Sequence, residues 1–343
     1  MDYQGRYDIF DLSRIRTYPL KTRANKVTLN DLIRPEEIDD LAITVSEGIR
    51  RDVETVAQAM IAARQANQPV ILFTGAHLIK NGLGPLLADL VKRRLVSLVA
   101  GNGATAIHDF ELALIGETSE NVPNALGKGR FGMAYEFAYF NEALALGEQL
   151  KLGCGESLGR MMCDEAFRDR ILARVVKEDS PTGFAHPEVS VLATCYERAV
   201  PFTVHVGIGT DVIDQHPSFD GPVKGGCSGR DFLIYAQEIS RLTEGGVVLN
   251  IGSAVTGPEV LLKAVSMAAN AGNVPKHIIT ADFDLRHHDA HAMTDEAAQG
   301  YYYRDQKSIV TRIPEAFDGK GHYLLGNQKQ TFPLLYKRLM EKS

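Results

Sequence analysis

The chain has 343 residues, 45% of them hydrophobic and 23% charged, and a formal net charge of −6 at pH 7. This composition is typical of a globular protein. The negative net charge argues against the basic surface that binding to nucleic acids or anionic lipids requires. Four scattered cysteines without a C-x-x-C pair exclude a disulfide framework and a zinc knuckle. With no signal-peptide segment and no membrane-length apolar run, we expect a cytoplasmic protein with neither nucleic acid nor membrane as partner.

Residues 1–50 are polar and poorly periodic, and they predict an N-terminal arm. From Val53 onward the pattern is regular, which predicts one α/β domain over residues 51–343. The predicted strands are 69–74, 96–100, 199–206, 246–251 and 276–280. The predicted helices are 84–94, 188–198, 230–243 and 258–272, and the segment 120–185 reads as a helical insertion. Buried strands alternating with helices predict a Rossmann-like, doubly wound, mostly parallel α/β sheet.

In open parallel sheets, ligands bind outside the carboxyl ends of the strands. Glycines follow several predicted strands here, among them Gly75, Gly101 and Gly252. Glycine lets a phosphate approach the backbone, and the next helix N-terminus supplies N–H donors. The segment 101–106 also resembles G-x-G-x-x-A, although no acidic ribose partner stands at the expected distance. A bound dinucleotide and a simple tight turn both account for this segment.

Two loops are dense in polar residues. The first holds His205, Asp211, Asp214 and His216, which fit either a site or a loop that caps a helix. The second, 282–291, alternates Asp and His, and imidazole and carboxylate groups suit Zn, Mn or Fe. The candidate metal ligands are His287, Asp289 and His291. A polar substrate-binding loop and an exposed loop are the alternatives for this second segment.

Taken in chain order, several blocks are similar to the deoxyhypusine synthase family. They cover roughly residues 50–305 and are 73–82, 99–109, 114–117, 129–132, 140–144, 201–211, 246–255 and 289–297. The resemblance implies a deoxyhypusine synthase-like NAD-binding fold and a homotetramer with active sites at subunit interfaces. It places these residues along NAD: Ala76, Asn102, Gly103, Ala104, Thr105, Asp211, Gly252 and Ser253. It also implies that Asp289 and Glu296 bind the ammonium groups of a polyamine substrate.

The chain departs from the family where the chemistry would occur. Counting along the matching segment places Tyr302 where the family has its imine-forming lysine, and a phenol cannot form a Schiff base. His108 and His216 stand near positions that are acidic in the family. Histidine titrates near neutral pH and can move a proton, so His108, His216 and His288 are candidate catalytic residues. Tyr302, which takes the place of the lysine, is the fourth candidate. Lys224, Lys307 and Lys320 are the lysines considered as replacements for the missing amine.

The sequence thus predicts a deoxyhypusine synthase-like NAD-dependent enzyme that acts on a polyamine or another small polar amine, without aminobutyl transfer to a protein lysine. Two alternatives stay open at this stage. One is a metal-dependent hydrolase or lyase that uses the 282–291 cluster. The other is a non-catalytic NAD-binding protein, since function depends on the site and not on the fold.

Overall fold

The computed structural model describes residues 3–177, 179–289, 292–293 and 295–342. The strands are β1 (Asn25–Thr28), β2 (Val70–Thr74), β3 (Leu98–Asn102), β4 (Glu117–Glu120), β5 (Phe202–His205), β6 (Val247–Ile251), β7 (Ile279–Asp284) and β8 (Lys320–Leu325). The helices are α1 (Glu47–Gln65), α2 (Ala76–Lys80), α3 (Gly84–Lys92), α4 (Gly103–Ile115), α5 (Val122–Leu126), α6 (Phe137–Leu150), α7 (Cys154–Cys163), α8 (Glu165–Val175), α9 (Val191–Glu197), α10 (Gly221–Ile239), α11 (Thr256–Asn270), α12 (Ile313–Ala316) and α13 (Gln328–Met340).

Six parallel strands form the central sheet in the order β5-β3-β2-β6-β7-β8. Numbered along the chain within this sheet, the order is 3-2-1-4-5-6, which is that of dinucleotide-binding Rossmann folds. The order reverses between β2 and β6, so this pair is the topological switch point. The predicted Rossmann-like α/β sheet is confirmed.

Both faces of the sheet are covered, which is why its strands are continuous apolar runs. Along β2, Val70 and Leu72 belong to one hydrophobic core, while Ile71 and Phe73 belong to the other. Helices α1, α3, α4 and α13 contribute to the first core, and α10 and α11 contribute to the second. The predicted helical insertion corresponds to α5–α8, which follow β4. None of the helices in the described part of the chain is long and apolar enough to span a membrane.

Two strands, β5 and β7, begin three residues later than the sequence predicts, for the same physical reason. Ala199 and His277 have positive φ angles of 51° and 52°, so neither residue can belong to an extended strand. The strand predicted over 276–280 is consequently displaced, and β7 runs on through Asp282 to Asp284. Asp282, predicted to lie in a loop after the strand, is a fully buried strand residue.

Other departures arise from contacts between distant residues. Helix α10 begins well before the predicted residue 230, because Asp220 caps it by accepting a hydrogen bond from the Val223 N–H. Strand β8 at the sheet edge was not predicted. In the predicted arm, β1 pairs antiparallel with β4, and Leu20 is fully buried. The arm is therefore packed against the rest of the chain. The division of the chain into arm and single domain stays a prediction.

Candidate functional site

At the switch point, the chain's own atoms fill the space next to the glycines. A Cβ on Gly75 would lie 2.2 Å from the Gly252 carbonyl oxygen. Gly252 has a φ of +63°, and a Cβ there would lie 2.1 Å from Nε2 of Gln328. Packing between the ends of β2 and β6 therefore already requires both glycines.

A cavity of about 260 Å³ opens beside the switch point, on the β3–β5 side of the sheet. We call it the α4 pocket, because the first turns of α4 form its floor. Its lining includes Arg23 from the arm, Lys80 at the end of α2, Ala104 and His108 on α4, and Asp211 after β5. Three residues predicted from sequence, Ala104, His108 and Asp211, are thus brought to one cavity at the carboxyl edge of the sheet.

His108 belongs to a chain of hydrogen bonds at the wall of the α4 pocket. Thr118 donates its hydroxyl proton to Oε2 of Glu111 at 2.5 Å. The Thr118 oxygen lies 2.7 Å from Nδ1 of His108. Since the only hydroxyl proton points to Glu111, this oxygen must accept from a protonated Nδ1, which assigns the tautomer from the hydrogen-bond network. In the neutral form of the imidazole, the lone pair is therefore on Nε2 of His108.

Glu111, the last member of this series of hydrogen bonds, is ionised. Its carboxylate is buried, and Nη1 of Arg23 lies 2.7 Å from Oε1. Burial by itself disfavours the charged form, but Arg23 and His108 outweigh it and lower the pKa of Glu111 to about 2. The anion therefore fixes the orientation of Thr118, and through it that of His108. This is the arrangement by which a buried carboxylate orients a catalytic histidine.

The sequence analysis did not identify Arg23, Glu111, Thr118 and Glu120 as site residues. Glu111 follows His108 by one helical turn, so their shared face was a readable signal. Arg23 and Glu120 reach the pocket through the pairing of β1 with β4, a contact between distant segments. They also line a neighbouring cavity of about 190 Å³ between the arm and α5, so the two cavities share a wall.

Most of the polar side chains predicted to hold NAD already form hydrogen bonds or ion pairs with other residues of the protein. Asn102 caps α4 by accepting from the N–H and hydroxyl of Thr105. Ser253 accepts from the Gly257 N–H. Nζ of buried Lys224 lies 2.8 Å from Asp211, whose pKa burial raises in spite of this cation. Lys224 is therefore held in an ion pair. These residues offer a ligand chiefly their backbone groups.

The other predicted catalytic side chains lie outside the α4 pocket. His216 is buried, and its Nδ1 lies 2.7 Å from the Ser218 hydroxyl. Burial and then Lys177 lower the pKa of His216 to about 4. His288 stacks on Tyr323 with ring centroids 4.9 Å apart. The side chain of Tyr302 is exposed. The catalytic roles of these three residues stay predictions without a supporting contact.

On the opposite side of the switch point, three carboxylates form a cluster. Asp282, Asp284 and Asp305 each offer a ligand atom within 4.8 Å of the others, and we call them the acidic cluster. Arg286 already pairs with Asp284 and with Asp305. Burial, and then the charge of Asp305, raise the pKa of Asp282 well above its usual value. The Arg286 guanidinium therefore compensates charge here, and burial favours the neutral form of Asp282.

The ligand set predicted for a metal is not assembled in the described part of the chain. His287 and Asp289 do not join the acidic cluster, and His291 lies outside the described residues. The Asp289 carboxylate accepts a hydrogen bond from the Ala292 N–H at 3.4 Å. Glu296, predicted to bind an ammonium group, accepts the Tyr301 hydroxyl proton at 3.0 Å. Neither carboxylate lines the α4 pocket.

A larger cavity, of about 460 Å³, lies at the opposite, amino-terminal edge of the sheet. Its lining includes Arg64, Arg94 and Arg241. Arg64 donates to the backbone carbonyls of Arg94 and Gln68, and Arg241 pairs with Glu238. Cations at helix carboxyl termini stabilise helix dipoles, which accounts for these arginines. This cavity therefore ranks below the α4 pocket as a candidate site, despite its size.

Comparison of the sequence with models of protein families finds no match, and neither does comparison with curated proteins. Among solved structures, ArgZ, a cyanobacterial arginine dihydrolase, is 16% identical to this chain with a TM-score of 0.46. The match includes 85% of this chain and 33% of the ArgZ chain. An LOR/SDH-type protein from Methanococcus maripaludis S2 is 16% identical with a TM-score of 0.47, over 90% of this chain and 74% of that one.

A protein from Entamoeba histolytica assigned to the deoxyhypusine synthases is 9% identical, with a TM-score of 0.43. The match covers 96% of this chain and 97% of that one. By contrast, the chain spans about a third of the length of ArgZ. At these identities and scores, none of the likenesses assigns the chain to a family or an activity. Membership of the deoxyhypusine synthase family stays a prediction.

Proposed function

We propose that this chain is an NAD-dependent enzyme that oxidises a small polar amine in the α4 pocket. One observation carries the proposal. A histidine oriented by a buried, ionised carboxylate lines a cavity at the carboxyl edge of a sheet ordered 3-2-1-4-5-6. Such sheets hold dinucleotides at the switch point, and His108 lies on the helix that follows a strand beside that point.

The residues around the switch point fit a dinucleotide through their backbone. The first N–H groups of α4 lack intrahelical partners, and Ala104 places them at the pocket. Nη2 of Arg23 is buried and has no hydrogen-bond partner among the described residues, so the pocket wall can accept a further anionic group. We infer that Ala76, Gly103, Ala104 and Gly252 would line the cofactor. When bound, NAD supplies the hydride acceptor for the substrate C–H bond.

His108 would serve as the base. An ammonium group cannot release a hydride from its carbon until it loses a proton, because the product iminium needs the nitrogen lone pair. With Nδ1 protonated toward Thr118, Nε2 of His108 is available to take that proton. The imidazolium formed would be stabilised by Thr118 and the Glu111 carboxylate, 3.7 Å from Nδ1.

The test combines binding and turnover. Calorimetric titration with NAD⁺ is expected to show binding, and a panel of small amines is expected to include one that yields NADH. His108→Gln should retain NAD⁺ binding and lose NADH formation, while His277→Asn, an exposed control, should match the wild type. Absence of NAD⁺ binding would refute the proposal. NAD⁺ binding without turnover of any amine would favour the non-catalytic alternative.

The quaternary structure and the polyamine substrate belong to the same set of predictions. The proposal itself requires neither, since every contact named for the α4 pocket lies within one chain. Light scattering during size-exclusion chromatography measures whether the protein is a homotetramer. A monomer would leave the pocket chemistry in place and remove the expectation of sites at subunit interfaces.

A further inference from the structure

Some charged side chains of the α4 pocket already pair with an opposite charge of the protein, and others do not. Glu111 is paired with Arg23, and Asp211 is paired with Lys224. Lys80 lies half-buried in the pocket wall and makes no hydrogen bond or ion pair with any described residue. The pocket wall therefore contains a cation, Lys80, that lacks a counter-ion among the residues that the structure describes.

Glu120 provides the opposite charge in the same cavity. Its Oε2 accepts a hydrogen bond from the Gly132 N–H at 2.9 Å and lies 3.9 Å from Nη1 of Arg23. Its Oε1 accepts no hydrogen bond from the described residues. The side chain is 8% exposed, and Glu120 lines the cavity. A ligand that carries the opposite charges can pair with both groups inside the cavity, where charge-assisted hydrogen bonds are stronger than neutral ones.

We propose that the α4 pocket binds an α-amino acid, with the substrate carboxylate at Lys80 and its ammonium group at Glu120 and His108. The inference rests on the proposed function for the location of the reaction and extends it to the substrate class. A zwitterion matches the unsatisfied cation and the unsatisfied carboxylate oxygen together, whereas a diamine leaves Lys80 unpaired and beside a like charge. The volume of about 260 Å³ is many times the roughly 10–15 Å³ that one water molecule needs on this measure, so the cavity has room for a small zwitterion.

The experiment compares ligands that differ only in the carboxylate. L-lysine and cadaverine form one such pair, and L-arginine and agmatine form another. Each is titrated calorimetrically into the full-length protein, with and without saturating NAD⁺. At least one amino acid should bind about tenfold or more tightly than its decarboxylated partner. Titration without NAD⁺ keeps this result independent of whether the cofactor binds.

Three variants locate the two charges. Lys80→Gln should remove the preference for the amino acid by weakening its binding, and it should not weaken the binding of the amine, which loses a nearby like charge. Glu120→Gln should weaken both ligands, because both carry the ammonium group. Lys92→Gln, on the exposed end of α3, is the matched control and should change neither.

Equal or tighter binding of the amines would overturn the proposal, as would an unchanged preference in Lys80→Gln. If Lys80→Gln instead lowers only the affinity for NAD⁺, Lys80 serves the cofactor phosphates and the proposal also fails. If no NAD⁺ binds but the amino-acid preference holds, the substrate class stands and the proposed redox function fails.

Discussion

The carboxyl edge of the sheet has two charged regions, one on each side of the switch point, and they differ in how their charges are satisfied. In the acidic cluster, Arg286 pairs with Asp284 and Asp305, and Asp282 lies buried beside them. In the α4 pocket, His108 opens on a cavity, and Lys80 lacks a partner among the described residues. In the first region Arg286 supplies the cation for two of the three carboxylates, although Oδ2 of buried Asp282 has no hydrogen-bond partner among the described residues. The second region surrounds a cavity, so its unpaired groups can reach a ligand.

This difference shows why residue density is a poor guide to a site. The segment 282–291 is the densest run of Asp and His in the sequence, but its described part is largely satisfied within the chain. The lining of the α4 pocket comes from segments that are far apart in the sequence, including the arm, α2, α4, β4 and the loop after β5. A site needs unsatisfied groups around a cavity, and that property appears only when distant segments are folded together.

The largest expected effect is on turnover in the α4 pocket. His108→Gln removes the base and should lower kcat/KM by about 10²–10⁴-fold, the usual contribution of general base catalysis. Steady-state kinetics with the best amine of the panel measure it. A variant that keeps the wild-type kcat/KM would remove the distinction between the two regions.

The next effect is a pH dependence of opposite sign in the two regions. The pKa of Glu111 is lowered from 4.5 to about 2, so its contribution to stability is complete above pH 4.5 and is lost as the pH falls toward 2. That contribution is about 3 kcal/mol at neutral pH. Comparing the free energy of unfolding of the wild type and Glu111→Gln should give a difference that shrinks below pH 4.5.

Asp282 should behave in the reverse way. Its raised pKa means that its contribution is complete below 3.8 and is lost as the pH rises through the folded-state pKa. Asp282→Asn should therefore gain stability relative to the wild type as the pH rises. Parallel pH trends for the Glu111 and Asp282 variants would contradict this assignment of charge states.

A third effect tests whether the acidic cluster is structural. Arg286→Met leaves Asp284 and Asp305 without their cation, so the free energy of unfolding should fall by about 2 kcal/mol. This is less than for a fully buried ion pair, because Arg286 is partly exposed and solvent screens its charge. Chemical denaturation measures this change, and NAD⁺ affinity should stay unchanged. Arg304→Met, at a surface ion pair, is the control. Lost NAD⁺ binding in Arg286→Met alone would make the cluster part of the site.

A smaller effect concerns the orientation of His108. Thr118→Val keeps the shape of the buried side chain but removes its hydroxyl, and kcat should fall about tenfold with KM unchanged. Thr118→Ser restores the hydroxyl and should recover most of the rate. A change in KM alone, or no recovery with serine, would show that Thr118 only packs.

The smallest effect is expected from metal ions. Because Arg286 occupies two carboxylates of the acidic cluster and burial disfavours the charged form of the third, dialysis against a chelator or addition of Mg²⁺ or Mn²⁺ should shift Tm by less than about 1 °C. Differential scanning calorimetry makes this comparison. A large stabilisation by one ion would revive the metal-dependent alternative on the acidic cluster.

The sequence predicts the sheet well, because buried parallel strands are local apolar runs. Strands β2, β3, β5 and β6 overlap the predicted strands, and Gly75 and Gly252 do follow strands. The start of β7 was misjudged since a left-handed His277 has no signature in an apolar pattern. As a result, the sequence pattern placed the buried strand residue Asp282 in a loop, and it predicted a candidate metal site over residues 282–291.

The site was less predictable, since its hydrogen bonds depend on tertiary contacts. His108 was singled out, and helical spacing could have added Glu111. Nothing local connects Arg23 to Glu111, however, because the arm reaches the pocket through the pairing of β1 with β4. Roles for Asn102 and Asp211 came from resemblance, and the structure shows that both side chains are bound within the chain.

The most direct test of the α4 pocket as the active site is calorimetric titration of NAD⁺ into a variant with the pocket filled. Ala104→Leu adds bulk to the pocket floor, while Ala62→Leu makes the same change on the exposed face of α1. We expect micromolar affinity, on the order of −8 kcal/mol, for the wild type and Ala62→Leu, and at least about tenfold weaker binding for Ala104→Leu. Equal affinity in all three proteins, or no binding to the wild type, would contradict the assignment.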